Sequence, residues 1–191
     1  MLFAQATTIL GLAAGLGSAV DIGFYASSTD CTGTAVICSN VASNRCCVLS
    51  GSHRSVRFVA AERLINVRAD SNRCTSIGFG QNVRPPYCLS SAGQSTFNSA
   101  QWREAILLKR APEVDQCPAG PGGCKEFVRP DLIVIPDGTK YYLKDLDDVA
   151  YEKLYGNPLY RYYYSTGAAA NDAFAVAKDV PEEFSALRID A

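Results

Sequence analysis

The eight cysteines are the residues whose type and number most directly imply a chemistry. Cysteine pairs form disulfides in oxidising compartments, and cysteine thiolates also bind zinc. Zinc sites use closely spaced Cys-x-x-Cys pairs or cysteine mixed with histidine, whereas this chain has neither such a pair nor more than one histidine. The even count therefore predicts four disulfides and no metal site. The cysteines are Cys31, Cys38, Cys46, Cys47, Cys74, Cys88, Cys117 and Cys124.

Two of these cysteines, Cys46 and Cys47, are neighbours in the sequence. Successive side chains point to opposite sides of an extended chain, so we expect these two to bond to different partners. Such a pair would link two layers of the fold. The pairing of the other cysteines stays open, because eight cysteines allow many connectivities.

His53 is the single histidine and the first candidate for a general base. One histidine excludes every mechanism that needs two, and no Gly-x-Ser-x-Gly elbow accompanies it, so we interpret His53 as an exposed turn residue. Two carboxylates suffice for glycoside hydrolysis, and the nineteen acidic residues offer many pairs without singling one out. We therefore assign no catalytic residue and expect no cofactor. A secreted glycoside hydrolase remains an alternative.

Tyrosine is concentrated near the end of the chain. Eight of the ten tyrosines lie between Tyr141 and Tyr164. Tyrosine provides broad, rigid and half-polar contact area, so a cluster can bind a protein or stack on a sugar. Packing against a core is the structural alternative. The candidate binding surface consists of Tyr160, Tyr162, Tyr163 and Tyr164.

The elements that would position these residues begin after an export signal. Residues 1–19 are apolar, contain no charged residue and end in the small residues Gly17, Ser18 and Ala19, so we predict a signal peptide cleaved after Ala19. No later stretch has the roughly 20 apolar residues of a membrane span. A net charge of −1, with the two signs interspersed, provides no basic surface for nucleic acid. The predicted location is extracellular.

The mature chain divides into two predicted modules of an α+β fold. Residues 20–111 form a cysteine-rich β module, sandwich-like or Greek-key, with short apolar runs at 22–25, 35–38, 55–59, 65–68 and 77–79. Residues 112–191 form a small α+β module: residues 132–135 and 140–143 flank an Asp-Gly turn, and a helix follows from Asp145. The dibasic pair Lys109-Arg110 lies at the boundary and is a possible processing site.

Several short motifs occur along the chain. In the first half these are Ile22-Gly23-Phe24-Tyr25, Asp30-Cys31-Thr32-Gly33, Cys38-Ser39-Asn40 and Cys46-Cys47. In the second half they are Asp137-Gly138-Thr139-Lys140-Tyr141 and the segment from Asp179 to Phe184. In these motifs the chain resembles small cysteine-rich secreted proteins of fungi, most of them uncharacterised. The resemblance implies a secreted protein and brings no activity with it.

The first half also resembles the βγ-crystallin Greek key, with Tyr25, Gly33 and Ser55 in the places of its aromatic, glycine and serine. The resemblance implies a calcium site in the segment from Ser71 to Ser76, with Asn72, Thr75 and Ser76 as candidate ligands. Calcium needs six or more oxygen ligands, and a Ser/Asn/Thr turn joining two strands accounts for the same residues.

The function that these observations favour is contact with an extracellular protein or carbohydrate by a secreted, non-enzymatic, effector-like or toxin-like protein. The alternatives are a secreted glycoside hydrolase or carbohydrate-binding protein and a calcium-stabilised crystallin-like module.

Overall fold

A computed structural model describes residues 19–60, 62–75, 80–91, 96–105, 126–144, 146, 185 and 187–189. These residues contain twelve β-strands and no α-helix. The strands are β1 (Ala19–Tyr25), β2 (Ala35–Ala42), β3 (Cys46–His53), β4 (Ser55–Val59), β5 (Ile65–Asp70), β6 (Gln81–Val83), β7 (Tyr87–Ser90), β8 (Phe97–Glu104), β9 (Phe127–Val128), β10 (Leu132–Val134), β11 (Lys140–Tyr142) and β12 (Arg188–Ile189).

Alternation of apolar and polar residues explains the strands. In β4, Val56 and Phe58 are buried while Arg57 and Val59 are exposed, as expected where successive side chains point to opposite faces. Four of the five apolar runs expected in the first module lie within β1, β2, β4 and β5. The fifth, residues 77–79, lies outside the described residues.

The strands form two sheets. The seven-stranded sheet has the order β12-β11-β10-β2-β1-β4-β7, and every pair in it is antiparallel. The five-stranded sheet has the order β6-β5-β8-β3-β9, with a parallel pair only between β3 and β9. The inner faces of both sheets contribute to one core, which makes the described fold a β-sandwich.

The core is filled from both sheets. Phe24 and Phe58 enter it from the seven-stranded sheet, and Trp102 enters it from the five-stranded sheet. The indole N–H of the buried Trp102 donates a hydrogen bond of 2.8 Å to the carbonyl of Val41, which satisfies its only polar atom. Arg63 stacks on the indole ring, with its guanidinium carbon 4.8 Å from the ring centroid.

The expectation of an α+β module after residue 111 is wrong. The predicted hairpin forms as β10 and β11, and Gly138 in its turn has the positive φ of 88° that favours glycine. However, β10 pairs with β2, so the hairpin extends the seven-stranded sheet. Its inward side chains, Ile133 and Tyr141, belong to the common core. The hairpin buries its apolar face there and builds no second core of its own.

Other expectations fall on residues that the structure does not describe. They are the signal sequence before Ala19, the module boundary near residue 111 with Lys109-Arg110, and all of the predicted helix from Asp145 except Leu146. None of the described segments forms an apolar helix with the length that a membrane crossing requires.

Candidate functional site

Disulfide bonding is confirmed for six of the eight cysteines. The bonds are Cys31–Cys88, Cys38–Cys47 and Cys46–Cys74, whereas Cys117 and Cys124 lie outside the described residues. Cys47 faces the core and reaches Cys38 on the opposite sheet, while its neighbour Cys46 bonds to Cys74. One bond therefore joins the two sheets. Disulfides form in oxidising environments, which these bonds indicate for this chain.

The bond from Cys31 to Cys88 fastens residues 26–34, here called the first covering loop, against the seven-stranded sheet. Cys31 packs with Tyr25 and Ala35 in a small cluster separate from the main core. Its backbone N–H donates to the hydroxyl of the buried Ser55 at 3.2 Å. That hydroxyl donates in turn to the carbonyl of Ser28 at 2.8 Å, so one serine holds the loop at two points.

The bond from Cys46 to Cys74 fastens residues 71–75, here called the second covering loop, against the five-stranded sheet. The N–H of Cys74 lies 3.0 Å from the hydroxyl of the buried Ser99 and 3.1 Å from Asp70 Oδ1. Ser99 also donates to Asp70 Oδ1 at 2.6 Å, and the N–H of Asn72 donates to the same oxygen at 2.9 Å. Asp70, Ser99 and the disulfide thus fix the path of this loop.

The two covering loops are built to the same plan. Each begins where a strand ends. The last strand residue pairs with the buried serine of the adjacent strand: Tyr25 with Ser55 and Asp70 with Ser99. In each case the residue two positions after the serine pairs with the strand cysteine that bonds to the loop, Cys88 or Cys46. Cys31 and Cys74 also share a left-handed backbone conformation, with φ of 59° and 56°. The fastened loop is therefore a structural device that the chain uses twice.

The second covering loop differs from the first in what it displays. Arg73, directly before Cys74, is itself left-handed with φ of 53°, whereas Asp30 at the equivalent place is not. The guanidinium carbon of Arg73 lies 5.9 Å from the ring centroid of Phe127, a cation–π contact. Phe127 is 52% exposed although it is a large apolar residue. We call these two residues the Arg73–Phe127 pair.

A polar surface adjoins this pair on the outer face of the five-stranded sheet. In one row across the sheet, neighbouring residues on adjacent strands pair in the order Phe127 (β9), Cys46 (β3), Gln101 (β8) and Arg68 (β5). A second row follows the register Arg103, Asn66, Asn82. These side chains point outward because the residues between them, such as Val67 and Trp102, point into the core.

His53 is not the exposed turn residue that the sequence suggested. It ends β3, is fully buried and lies edge-on to Phe24, with ring centroids 5.3 Å apart. Nδ1 lies 3.1 Å from the carbonyl of Phe97, which places the proton of the neutral ring on that nitrogen. Burial lowers the pKa of His53 to about 4, partly opposed by the hydrogen bond to Phe97. The ring is thus a neutral core group rather than an exposed general base.

Two of the three candidate calcium ligands, Asn72 and Thr75, lie in the second covering loop. The hydroxyl of Thr75 donates to the carbonyl of Asn72, so these two residues close a local turn. Ser76 lies outside the described residues. Among the residues with described positions, no group of three or more histidine, cysteine or acidic side chains could hold a metal ion. The calcium hypothesis remains a prediction.

The predicted tyrosine surface, Tyr160, Tyr162, Tyr163 and Tyr164, lies outside the described residues. Two tyrosines of the same sequence cluster are described. Tyr141 is buried in the core, whereas Tyr142 is 50% exposed on β11. Neighbours in that cluster therefore take both the structural and the surface role, as alternation along a strand requires.

Sequence reasoning missed the Arg73–Phe127 pair and the polar rows. The polar residues Asn66 and Arg68 alternate with the apolar residues Ile65 and Val67, a signal that could have identified an outer face. Nothing local brings Phe127 near Arg73, because that contact depends on the parallel pairing of β9 with β3.

Comparison with known proteins gives one family. The family model ARB_05566_N, described as an N-terminal domain, matches residues 21–131. The family is of fungal type and uncharacterised, and no similarity to βγ-crystallins is shown. No curated protein and no solved structure gives a match. The matched segment is more than half of the 191 residues, and this chain belongs to the ARB_05566_N family.

Proposed function

We propose that this chain is a secreted, non-enzymatic, cysteine-rich protein that acts by surface contact, in the manner of effector-like or toxin-like proteins. The Arg73–Phe127 pair carries the proposal. A non-glycine residue in the left-handed region costs free energy, and such strain persists where the surrounding structure enforces it, often at functional sites. Here a disulfide and a buried serine hold the loop that displays Arg73 over an exposed aromatic ring.

The pair also has the composition of a contact site. Arginine and aromatic residues are enriched among the few side chains that dominate binding free energy at protein interfaces. A guanidinium held over a ring loses less conformational entropy on binding than an unrestrained one. Covering a half-exposed phenylalanine favours binding, because it removes apolar surface from water.

Export is part of the proposal. Cleavage after Ala19 would remove one residue of β1 and leave Val20, which is buried in the core, at the new N-terminus. The mature chain would thus keep the complete core face of that strand. The three disulfides fit the oxidising secretory route.

The absence of enzymatic action is proposed on the state of His53. A neutral, fully buried histidine is not available as a general base to a substrate in solution. The chain contains no second histidine. Hydrolysis by carboxylates alone would release sugar or peptide fragments from cells, and the cell-binding experiment measures that release.

Export is tested by the intact mass of the protein recovered from the medium of a fungal host, with and without reductant. We expect one chain that begins at Val20 and gains eight hydrogens on reduction. A chain that keeps residues 1–19, or that stays inside the cells, contradicts export. Two chains divided after Arg110 contradict a single-chain product.

Surface contact is tested by incubating the fluorescently labelled protein with fungal mycelium, plant cells and mammalian cells. We expect binding to at least one surface, loss of binding in Arg73→Ala/Phe127→Ala, and retention in the control Arg57→Ala/Tyr142→Ala. The control removes an exposed arginine and a half-exposed aromatic from the other sheet. The proposal is contradicted if the unaltered protein and the control variant bind none of these surfaces. It is also contradicted if the protein releases sugar or peptide fragments from the cells.

A separate variant tests the tyrosines. Replacing Tyr160, Tyr162, Tyr163 and Tyr164 by alanine should abolish cell binding if they share the contact surface. Full binding by this variant, with an unchanged melting temperature, removes them from the proposal. Loss of binding only in this variant overturns the assignment to the Arg73–Phe127 pair.

A further inference from the structure

The outer face of the five-stranded sheet gathers positive charge in a chain whose net charge is −1. Arg68 and Arg103 project from β5 and β8, and Arg73 lies on the second covering loop, which is fastened to the same face by the Cys46–Cys74 bond. Asp70 is the acidic residue among them, and its side chain is only 11% exposed. Three arginines against one aspartate leave these four residues with a net charge of +2. Neighbouring charges of one sign raise the local concentration of oppositely charged ligands.

The carboxylate of Asp70 is engaged in hydrogen bonds and an ion pair within the fold. Its Oδ1 accepts hydrogen bonds from Ser99 and from two backbone N–H groups of the second covering loop. Its Oδ2 lies 3.6 Å from Nε of Arg68, a long ion pair. The aspartate therefore orders the loop and pairs with Arg68. Among the described residues, Arg73 and Arg103 are the other two arginines of this face.

Both of these arginines are held in place before any ligand binds. Nε of Arg103 donates to Oδ1 of Asn66 at 3.3 Å. The amide nitrogen of Asn66 donates to Asn82 Oδ1 at 2.8 Å and to the carbonyl of Gly80 at 2.9 Å, which fixes the orientation of the amide. Arg73 is positioned by its loop and by Phe127. Side chains ordered in advance lose less entropy on binding.

The mixture of groups narrows the class of ligand. Side-chain amides both donate and accept hydrogen bonds, as sugar hydroxyls do, and an aromatic ring offers an apolar face. The row from Phe127 to Arg68 crosses four strands, about 14 Å at the usual strand spacing, so an extended chain fits along it. Peptides are recognised mainly at sheet edges, in grooves or as helices, and this surface is the face of a sheet.

The arginines favour an acidic sugar over a neutral one as the ligand. A neutral ligand would cover the guanidinium groups without supplying a counter-charge, and covering an unpaired charge is costly. A carboxylate matches the planar guanidinium and accepts two hydrogen bonds from it.

We infer that the outer face of the five-stranded sheet, with Arg73, Phe127 and Arg103, binds an acidic, uronate-containing polysaccharide. Carboxylates of the polymer pair with Arg73 and Arg103, and one sugar ring packs on Phe127. The amide of Gln101, which pairs with Arg68 in the sheet register and lies two residues before Arg103 on β8, bonds to sugar hydroxyls. This inference rests on the proposed function of surface contact and names its ligand.

Binding of the full secreted chain to polygalacturonate, compared with the same polymer fully methyl-esterified, tests the inference. The ester keeps the sugar backbone and removes the charge. We expect binding to polygalacturonate only, weakened about fivefold by Arg73→Gln or Arg103→Gln and about 25-fold by both together. Binding should also weaken as salt rises from about 0.05 to 0.5 M, since salt screens exposed charges.

The matched control is Arg57→Gln, an exposed arginine on the outer face of the other sheet. It should bind like the unaltered chain, and all variants should keep their melting temperatures. Equal affinity for the ester, equal affinity of the double variant, or no binding to polygalacturonate overturns the inference. If the folded chain still binds cells through Arg73 and Phe127 while polygalacturonate fails, surface contact stands and only the ligand class is wrong.

Discussion

Cys31 and Cys74 are structural equivalents on opposite faces of the sandwich. Each adopts a left-handed backbone, and each donates its N–H to a buried serine hydroxyl, Ser55 for the first and Ser99 for the second. Each fastens a covering loop to an outer face by a disulfide. Because the device is duplicated, one loop serves as a structural control for the other.

Ser99→Ala should lower the free energy of unfolding by about 1–3 kcal/mol, because the substitution leaves buried hydrogen-bonding partners around Asp70 unsatisfied. Ser90→Ala, at the exposed end of β7, should change it by less than about 0.5 kcal/mol. Urea unfolding followed by the fluorescence of the single tryptophan measures both. Equal stability of the two variants would contradict the role assigned to the buried hydroxyl.

Removing either outer disulfide should cost similar stability but have different effects on binding. The bonds close loops of 28 and 57 residues, and the chain-entropy relation gives about 3.5 and 4 kcal/mol for Cys46→Ala/Cys74→Ala and Cys31→Ala/Cys88→Ala. Only the first pair of substitutions releases the loop that carries Arg73. At a temperature where both variants are folded, we expect polygalacturonate binding to fall in the first alone. Loss in both would indicate a global effect instead.

His53 should make stability depend on pH between about 7 and 4. Its pKa is about 4 in the folded chain and 6.5 when unfolded, so the unfolded state binds more protons in this window. Stability is therefore complete above the unfolded pKa and falls as the pH drops, by roughly 2 kcal/mol at pH 5 and roughly 3 kcal/mol near pH 4. Unfolding at pH 7 and pH 5 measures the difference.

The control for this effect is His53→Phe, which fills the site without a titrating group. Its stability should change much less over the same interval. A slope equal to that of the unaltered chain would show that other groups cause the acid sensitivity.

Gly80→Ala should be poorly tolerated, whereas Gly23→Ala should be nearly neutral. A Cβ at Gly80 would collide with the carbonyl of Val67 and lie 2.5 Å from Oδ1 of Asn66, while at Gly23 its nearest neighbour would be 3.5 Å away, an ordinary contact. Overpacking against backbone costs about 1–3 kcal/mol. Thermal unfolding compares the two, and equal melting temperatures would contradict the close approach.

The same substitution bears on the proposed ligand site. Displacing Asn66 removes the acceptor that holds Arg103. Gly80→Ala should therefore weaken polygalacturonate binding as well as stability, while Gly23→Ala should leave both unchanged.

Several features of this chain follow from the sequence alone. The alternation in β4 and the Asp-Gly turn after β10 are local, and period-two patterning and turn chemistry suffice to predict them. Disulfide bonding follows from an even cysteine count behind an export-like N-terminus. The opposite orientation of Cys46 and Cys47 follows from strand geometry.

Tertiary structure decided the rest, because it depends on pairings between residues far apart in sequence. The local sequence of residues 132–143 predicts a hairpin that starts a second module. The structure instead pairs β10 with β2, about 100 residues earlier in the chain. His53 reads as a turn residue in a Ser/Gly-rich segment, and only the packing of Phe24 against it reveals a core group. Arg73, Arg103 and Phe127 are scattered through an evenly charged sequence. The register of β5, β8, β3 and β9 brings them to one face, since a sheet places side chains by strand order rather than by chain order.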